Sequence, residues 1–289
     1  MREHIAVLTM TRGRHEQLLG QVDGLSVGSR PPFMHSVVSM GDRDLTRGRL
    51  PLGTDRWRTV VRPVPTDRRA LPLAAARNLA AQEAIDGGAE VLVFLDGDII
   101  PGSRTLERYA EVLTGPRASV GLGHVDGPVL WCGPILQLEP LEPGAVGYPM
   151  RRLNTLARRT PGTPRVRVGE VRVEKRWELF RALAFAMTTE DFLATGGFHP
   201  GYTGHGLEDA DFAEVVRRAG GTMAWVGGAT AYLQPGQQVA PEHEVRIAAN
   251  HARIWRERWD ESANHPWLAR LVAEGRLTRG QDGSYSLAA

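Results

Sequence analysis

The run Val91-Leu92-Val93-Phe94-Leu95 is apolar at every position and ends on Asp96-Gly97-Asp98. A strand without a polar face has to be covered on both sides, which is the situation of a mostly parallel sheet sandwiched by helices. The flanking pattern agrees. Residues 4–9 read as an apolar strand, 14–25 as a helix, 33–40 as a second strand, and 73–85 as an alanine-rich helix stopped by Gly87-Gly88. Sheets of this kind bind ligands beyond the carboxyl ends of their strands. Residues 9–14, Gly41-Asp42 and residues 96–98 all lie at such ends.

The middle of the chain has another texture. Residues 115–164 are rich in glycine and proline, and Val166, Val168, Val171 and Val173 alternate with arginine and glutamate around Gly169, as a polar edge hairpin does. The basic stretch 151–176 reads as a solvated face. From Trp177 the regular pattern resumes: 182–188 is apolar, Gly196-Gly197 marks a turn, and 210–219 is a helix capped by Gly220-Gly221. A strand over 223–226 and an amphipathic helix over 242–259 follow, the helix carrying Ile247, Ile254, Trp255 and Trp259 on its apolar side. No internal repeat is evident.

Composition narrows the function classes. The 35 basic and 33 acidic residues leave a formal charge of +2, too weak a field to argue for a nucleic-acid partner. Cys132 is the single cysteine, so no disulfide forms within the chain and a reducing, cytoplasmic setting is expected. The N-terminus runs straight into a strand without an apolar signal core, and no run reaches the ~18 residues of a membrane helix, so a soluble protein is expected. At ~150 residues per domain, 289 residues make one large domain or two abutting halves.

Two acidic clusters carry the chemistry. Asp96 and Asp98 are separated by glycine alone, so their carboxylates can converge on one hard cation while the missing side chain lets a ligand approach. An Asp-Gly turn that merely ends a strand has the same sequence. A calcium loop fits poorly, because Ile100 stands where an oxygen ligand is needed and Pro101 where glycine is needed. Glu208, Asp209 and Asp211 open a helix, where the exposed amides favour acidic residues in any case. The pairing is more informative than either cluster: one is suited to metal, the other to accepting a proton. His243-Glu244 does not extend to a zinc-protease motif, since Ile247 holds the position of the second histidine.

At these residues the chain resembles the GT-A glycosyltransferases, in their family 2-like, galactosyltransferase-like branch. Leu95-Asp96-Gly97-Asp98 is similar to the Asp-x-Asp motif, and Ala76-Arg77-Asn78-Leu79-Ala80 to the Ala-Arg-Asn helix before it. Gly196-Gly197-Phe198 followed by Gly206-Leu207-Glu208-Asp209-Ala210-Asp211 resembles the Gly-Gly-Phe turn and Gly-x-Glu-Asp-x-Asp signature of that branch. The resemblance implies an α/β GT-A fold: a Rossmann-like mixed sheet flanked by helices and abutting an acceptor-side subdomain. In one continuous domain, residues 1–125 would be the nucleotide-sugar half and 126–289 the acceptor half. It further implies a metal-dependent, hexosyltransferase-type enzyme moving a sugar from a UDP-sugar to a hydroxyl of a small-molecule, glycan or peptide acceptor. Thr9, Thr11 and Arg12 would meet the nucleotide, Asp42 the uracil or ribose, and Arg77 and Asn78 the base and diphosphate. Asp98 would ligate Mn²⁺ or Mg²⁺, Asp96 would contact ribose or metal-bound water, and Gly97 would sit between them. Asp209, with Glu208 beside it, would be the general base of an inverting displacement.

The sequence departs from that family at two places. Where relatives carry a His-rich segment that completes the metal shell, this chain has Ala231-Tyr232-Leu233-Gln234-Pro235-Gly236-Gln237, leaving Gln234, His243, or diphosphate and water to fill it. His205 stands where a tryptophan often precedes the signature, and could contact phosphate or acceptor or simply make a turn. A sugar-1-phosphate nucleotidyltransferase would want a glycine-rich phosphate loop, whereas residues 9–14 contain one glycine and no lysine. A glycoside hydrolase would have no need of a nucleotide-type first half. A non-catalytic sugar-nucleotide-binding module is the remaining alternative.

Overall fold

The computed structural model describes residues 4–66, 71–115, 122, 125–142, 144–160, 162–236 and 241–288. The chain runs through β1 (Ile5–Thr11), α1 (His15–Ser26), β2 (Met34–Ser39), α2 (Arg43–Thr46), β3 (Arg58–Pro63), α3 (Leu73–Asp86), β4 (Val91–Leu95), β5 (Ile99–Pro101) and α4 (Thr105–Leu113). It continues through β6 (Val129–Cys132), β7 (Ile135–Leu138), α5 (Leu153–Leu156), β8 (Ala157–Arg159), β9 (Val171–Glu174), β10 (Ala184–Thr188), α6 (Thr189–Thr195) and α7 (Glu208–Arg218). The last elements are β11 (Thr222–Val226), β12 (Ala231–Leu233), α8 (Pro241–Trp259), α9 (Pro266–Ala273), β13 (Leu277–Arg279) and β14 (Tyr285–Leu287).

An eight-stranded sheet orders these strands β3-β2-β1-β4-β10-β6-β11-β9. The first four strands are parallel, as the apolar run of β4 demands, and β10 and β9 then run antiparallel to their neighbours. The sheet is therefore mixed. From β1 the chain passes outward to β2 and β3, then returns to the other side of β1 for β4. The order reverses between β1 and β4, and a crevice opens at such a switch point. Alternate side chains of β1 feed opposite layers: Ala6, Leu8 and Met10 pack under α3, and Ile5 and Val7 under α1. A four-stranded sheet, β5-β12-β7-β8, and a terminal hairpin, β13-β14, complete the strand pairing. Among the described residues, no helix is long and apolar enough to cross a membrane.

Only half of the expected edge hairpin forms. Gly169 turns with φ +88 and β9 lines the edge of the large sheet against β11, but residues 164–168 are not a strand. Their partner is a single turn: the Gly169 N–H donates to the Gly227 carbonyl at 3.2 Å. The alternation of valines reported an edge position, which needs only one strand.

Candidate active site

The site is organised by a buried arginine. In α3 the residues Leu73, Ala76, Arg77, Ala80 and Ala84 share the buried stripe, so the guanidinium enters the core, 1% exposed. Its Nη2 donates to both oxygens of Asp96 at 3.3 Å, and its Nη1 to Oδ1 of Asp209 at 3.4 Å. Glu208 stands 4.0 Å away, and the guanidinium carbon lies 5.2 Å over the ring of Phe198. One cation thus ties the carboxylate at the end of β4 to the pair that opens α7. The two clusters meet at one guanidinium although more than a hundred residues separate them.

The members of this cluster are electrostatically distinct. Burial pushes the Asp96 carboxyl up to about 7 although Arg77 opposes it, and the charges of Asp98 and Asp209 add to the rise. Burial, with Asp209 beside it, pushes Glu208 up to about 8. The Glu208 side chain is 4% exposed and accepts the Gly206 N–H at 2.6 Å, whereas that of Asp209 is 18% exposed. Asp209 also accepts the Ala182 N–H at 3.0 Å. Asp209 is therefore the more exposed of the two carboxylates and is held in place by Arg77 and the Ala182 N–H. Asp98 binds the Arg14 guanidinium across the cleft mouth, with its pKa raised by burial against the pull of that arginine. Arg14 itself caps α1 in a left-handed conformation, φ 53 and ψ 41, a strained state for a non-glycine residue of the kind that gathers at functional sites. His205 stands 4.0 Å from Glu208, its pKa lowered by desolvation and by Arg77.

The Glu208 values fix a pH dependence. The unfolded chain releases this proton near pH 4.5 and the folded chain near 8, so folding loses stability progressively as pH rises between those limits. Glu208→Gln removes the loss while its amide oxygen can still accept the Gly206 N–H. The variant is expected to match the parent's melting temperature below pH 4.5 and to exceed it increasingly toward pH 8 in thermal melts. A difference that does not change with pH would contradict this.

A cleft of about 920 Å³ opens at the ends of β1 and β2, lined by Arg12, Gly13, Ser39, Asp42, Arg43 and Thr46 among others, and Arg14, next to its Gly13, pairs with Asp98. Several expected contacts nevertheless serve the fold. Thr9 is buried, its hydroxyl donating to Gln21 at 2.8 Å and lying 3.0 Å from His35, so it does not reach a nucleotide. Gln21 in turn donates to the carbonyls of Asp96 at 2.9 Å and Ile99 at 3.0 Å and braces the Asp-Gly-Asp turn from below. Thr11 is buried and donates to the Gly13 carbonyl at 3.2 Å. A Cβ at Gly97 would come within 2.9 Å of Thr11, so this glycine admits the end of β1, where a ligand was expected. Asp42 caps α2 through Asp44 and Leu45 and also accepts from Gly13 at 2.9 Å and His15 at 2.7 Å. Burial works against its charge, but His15 and those backbone donors outweigh it and lower its pKa. Asp42 shapes the cleft wall with its carboxylate already engaged. Asp211, the third acid of its cluster, points away from the cleft to Tyr202, Arg258 and Trp259.

Asn78 is likewise engaged within the fold. Its amide donates to the Phe198 carbonyl at 2.7 Å and accepts the Phe198 N–H at 2.9 Å, pinning the turn in which Gly196 and Gly197 take φ of +72 and +79. That turn carries Phe198 onto Phe212, with ring centroids 4.0 Å apart, and beneath Arg77. Asn78→Ala leaves both Phe198 backbone groups unpaired, and urea denaturation is expected to show a loss of about 2 kcal/mol. On the far side His251, missed in the sequence, accepts the Leu207 N–H at 3.1 Å and lies 2.9 Å from the Thr203 carbonyl. Burial lowers its pKa to about 4, so the ring is neutral and holds the turn before α7.

Among the described residues, no three His, Cys, Asp or Glu side chains converge to hold a metal ion. Gln234 is buried, and its amide donates to the Gln17 carbonyl at 2.8 Å. His243 is exposed at the start of α8, and Gln237 lies outside the described residues. Cations of the magnesium type are commonly held by one or two carboxylates with phosphate and water oxygens.

Residues 164–235, which include the Gly-Gly-Phe turn and α7, match the family model described as the N-terminal domain of galactosyltransferase. Among solved structures, S. aureus TarS 1–349 is similar over 87% of this chain and 65% of its own, with TM-score 0.58 and 13% identity. GalNAc-T7 with UDP, GalNAc and Mn²⁺ is similar over 92% of this chain and 52% of its own, with TM-score 0.54 and 16% identity. The chain has the GT-A glycosyltransferase fold. A GT-A mannosyltransferase of Pyrobaculum calidifontis, in complex with GDP-Man and Mn²⁺, is similar over 94% of this chain and 69% of its own, with TM-score 0.53 and 15% identity. The present GT-A chain spans just under two thirds of TarS 1–349. No curated protein matches its sequence.

Proposed function

We propose that the protein is a glycosyltransferase that moves a sugar from a UDP-sugar to a hydroxyl acceptor with inversion. The observation that carries this reading is the Arg77 bridge, which sets Asp96 and Asp209 on either side of one guanidinium. TarS with UDP-GlcNAc and GalNAc-T7 with UDP, GalNAc and Mn²⁺ share the fold and support the donor class. The uridine takes the cleft of Arg12, Arg43 and Thr46, and the diphosphate turns toward Arg14 and Asp98. Asp98 and Asp96, with diphosphate oxygens, would hold the divalent cation, which supplies charge neutralisation to the leaving group. Asp209 takes the proton of the acceptor hydroxyl as its oxygen attacks the anomeric carbon and UDP leaves from the opposite face. Arg77 stays charged throughout and fixes the direction of Asp209. Glu208, buried and with a raised pKa, stays largely protonated at neutral pH and leaves the proton-accepting role to its neighbour.

Incubation of the purified protein with UDP-sugars and Mn²⁺ tests the reading. Release of UDP is expected. Release of inorganic diphosphate would indicate a nucleotidyltransferase, and binding without turnover a sugar-nucleotide-binding module.

A further inference from the structure

The basic stretch 151–176 has no part in the site described above. It holds nine arginines and lysines against two glutamates, in a chain whose formal charge is +2. Both glutamates are engaged within it: Glu174 pairs with Arg176 at 2.8 Å, and Glu170 accepts the Arg167 backbone N–H at 2.9 Å. Arg158 pairs with Glu139 at 2.8 Å. Among the described residues, no carboxylate lies within 4.0 Å of the guanidinium of Arg159, Arg165, Arg167 or Arg172. Three of these residues, Arg159, Arg165 and Arg167, line one hollow of about 740 Å³ between β8 and the turn before β9. It shares no lining residue with the cleft of Arg12 and Arg43.

Backbone carbonyls orient these cations without neutralising them. Nη1 of Arg159 donates to the Pro164 and Thr163 carbonyls at 3.0 and 3.4 Å, and Nη1 of Arg172 to the Arg165 carbonyl at 3.3 Å. The turn that carries Arg165 and Arg167 is itself seated firmly. The Gly227 N–H donates to the Glu170 carbonyl at 2.8 Å, and a Cβ at Gly227 would come within 1.7 Å of the Arg167 carbonyl oxygen, an approach that only glycine permits. Like charges gathered on a fixed frame repel one another, and a bound anion offsets that repulsion. Guanidinium forks match the oxygens of phosphate and carboxylate. The hollow has the volume of a complete small-molecule site, roughly 300–1,000 Å³, and three cations on its walls exceed what one carboxylate needs. A ligand with several phosphate groups offers an oxygen pair to each. A bilayer surface meets projecting side chains, whereas these arginines surround a concavity.

We infer that this hollow is a second anion site, which binds a soluble molecule carrying several phosphate groups through Arg159, Arg165 and Arg167. The inference is independent of the glycosyl-transfer reading above. Calorimetric titration of inorganic tripolyphosphate, in metal-free buffer of low ionic strength, into the parent, Arg165→Gln, Arg167→Gln and Arg151→Gln tests it. Arg151 is exposed in the same basic stretch but does not line the hollow, so its variant loses the same charge at another place. The parent is expected to bind, Arg165→Gln and Arg167→Gln to bind about tenfold more weakly, the size of one hydrogen bond to a charged group, and Arg151→Gln to bind as the parent does. Melting temperatures matching the parent's are expected, since these side chains are exposed. Absence of binding to the parent, undiminished affinity in Arg165→Gln and Arg167→Gln, or an equal loss in all three variants, the mark of a diffuse field, overturns the inference. Cosedimentation with phosphatidylcholine vesicles containing phosphatidylglycerol reads the other source of phosphate. Binding to these vesicles without binding of tripolyphosphate would assign the arginines to a membrane surface and also overturns it.

Discussion

Arg77→Met is expected to destabilise the protein by about 3–5 kcal/mol and to abolish sugar transfer. Methionine keeps much of the volume but leaves Asp96, Glu208 and Asp209 together without their shared cation. For a chain of this size the loss corresponds to a fall of roughly 6–20 °C in melting temperature, read by calorimetry or circular dichroism. The effect has a sign in pH. Arg77 is the group that lowers the Asp96 pKa against its burial, so without it the carboxyl titrates still higher, and ionising it costs more stability as pH rises. Melts at about pH 5 and about pH 8 are therefore expected to show the larger deficit at the higher pH. Arg77→Lys is expected to recover only part of the loss, since an ammonium is a point charge and cannot fork to three carboxylates. A fully stable, active Arg77→Met protein would mean that the guanidinium does not organise the cleft.

Asp209→Asn is expected to lower transfer roughly 10²- to 10⁴-fold, the contribution of a positioned general base, while leaving stability and UDP binding near those of the parent. The asparagine oxygen still accepts the Ala182 N–H, and Arg77 still has Asp96 and Glu208. Only the proton acceptor is lost. A steady-state assay of UDP release with a saturating donor reads the effect, and unchanged turnover would remove Asp209 from the role.

The parts of this cleft that were legible in the sequence are those written locally. The apolar run of β4 dictates a buried parallel strand, and the carboxylates that end it sit at its carboxyl end whatever the rest of the fold does. The turn, acidic cluster and helix of α7 are equally local. Arg77 was named from its motif, but its bridging position was not, because an arginine among alanines reads as a solvated helix face. The signal was present in its spacing from Leu73, Ala80 and Ala84, which puts it on the buried stripe. Polar residues at strand ends and on α3 misled in the other direction. Thr9, Asn78 and Asp42 have the composition of ligand contacts, yet their donors and acceptors are spent on Gln21, Phe198 and the β1–α1 turn. Those partners are distant in sequence, and no local pattern announces them. Gln21 and His251 were silent for the same reason, and Arg14 was visible only as the first residue of a helix beyond a strand end.

The central claim is that one cleft holds the donor diphosphate at Asp98 and presents the transferred sugar to Asp209. Titration of UDP with Mn²⁺ into the parent, Asp98→Asn and Asp209→Asn tests it most directly. The predicted result is equal affinity for the parent and Asp209→Asn and a loss of about tenfold or more in Asp98→Asn. Undiminished binding to Asp98→Asn, or equal losses in both variants, would contradict it.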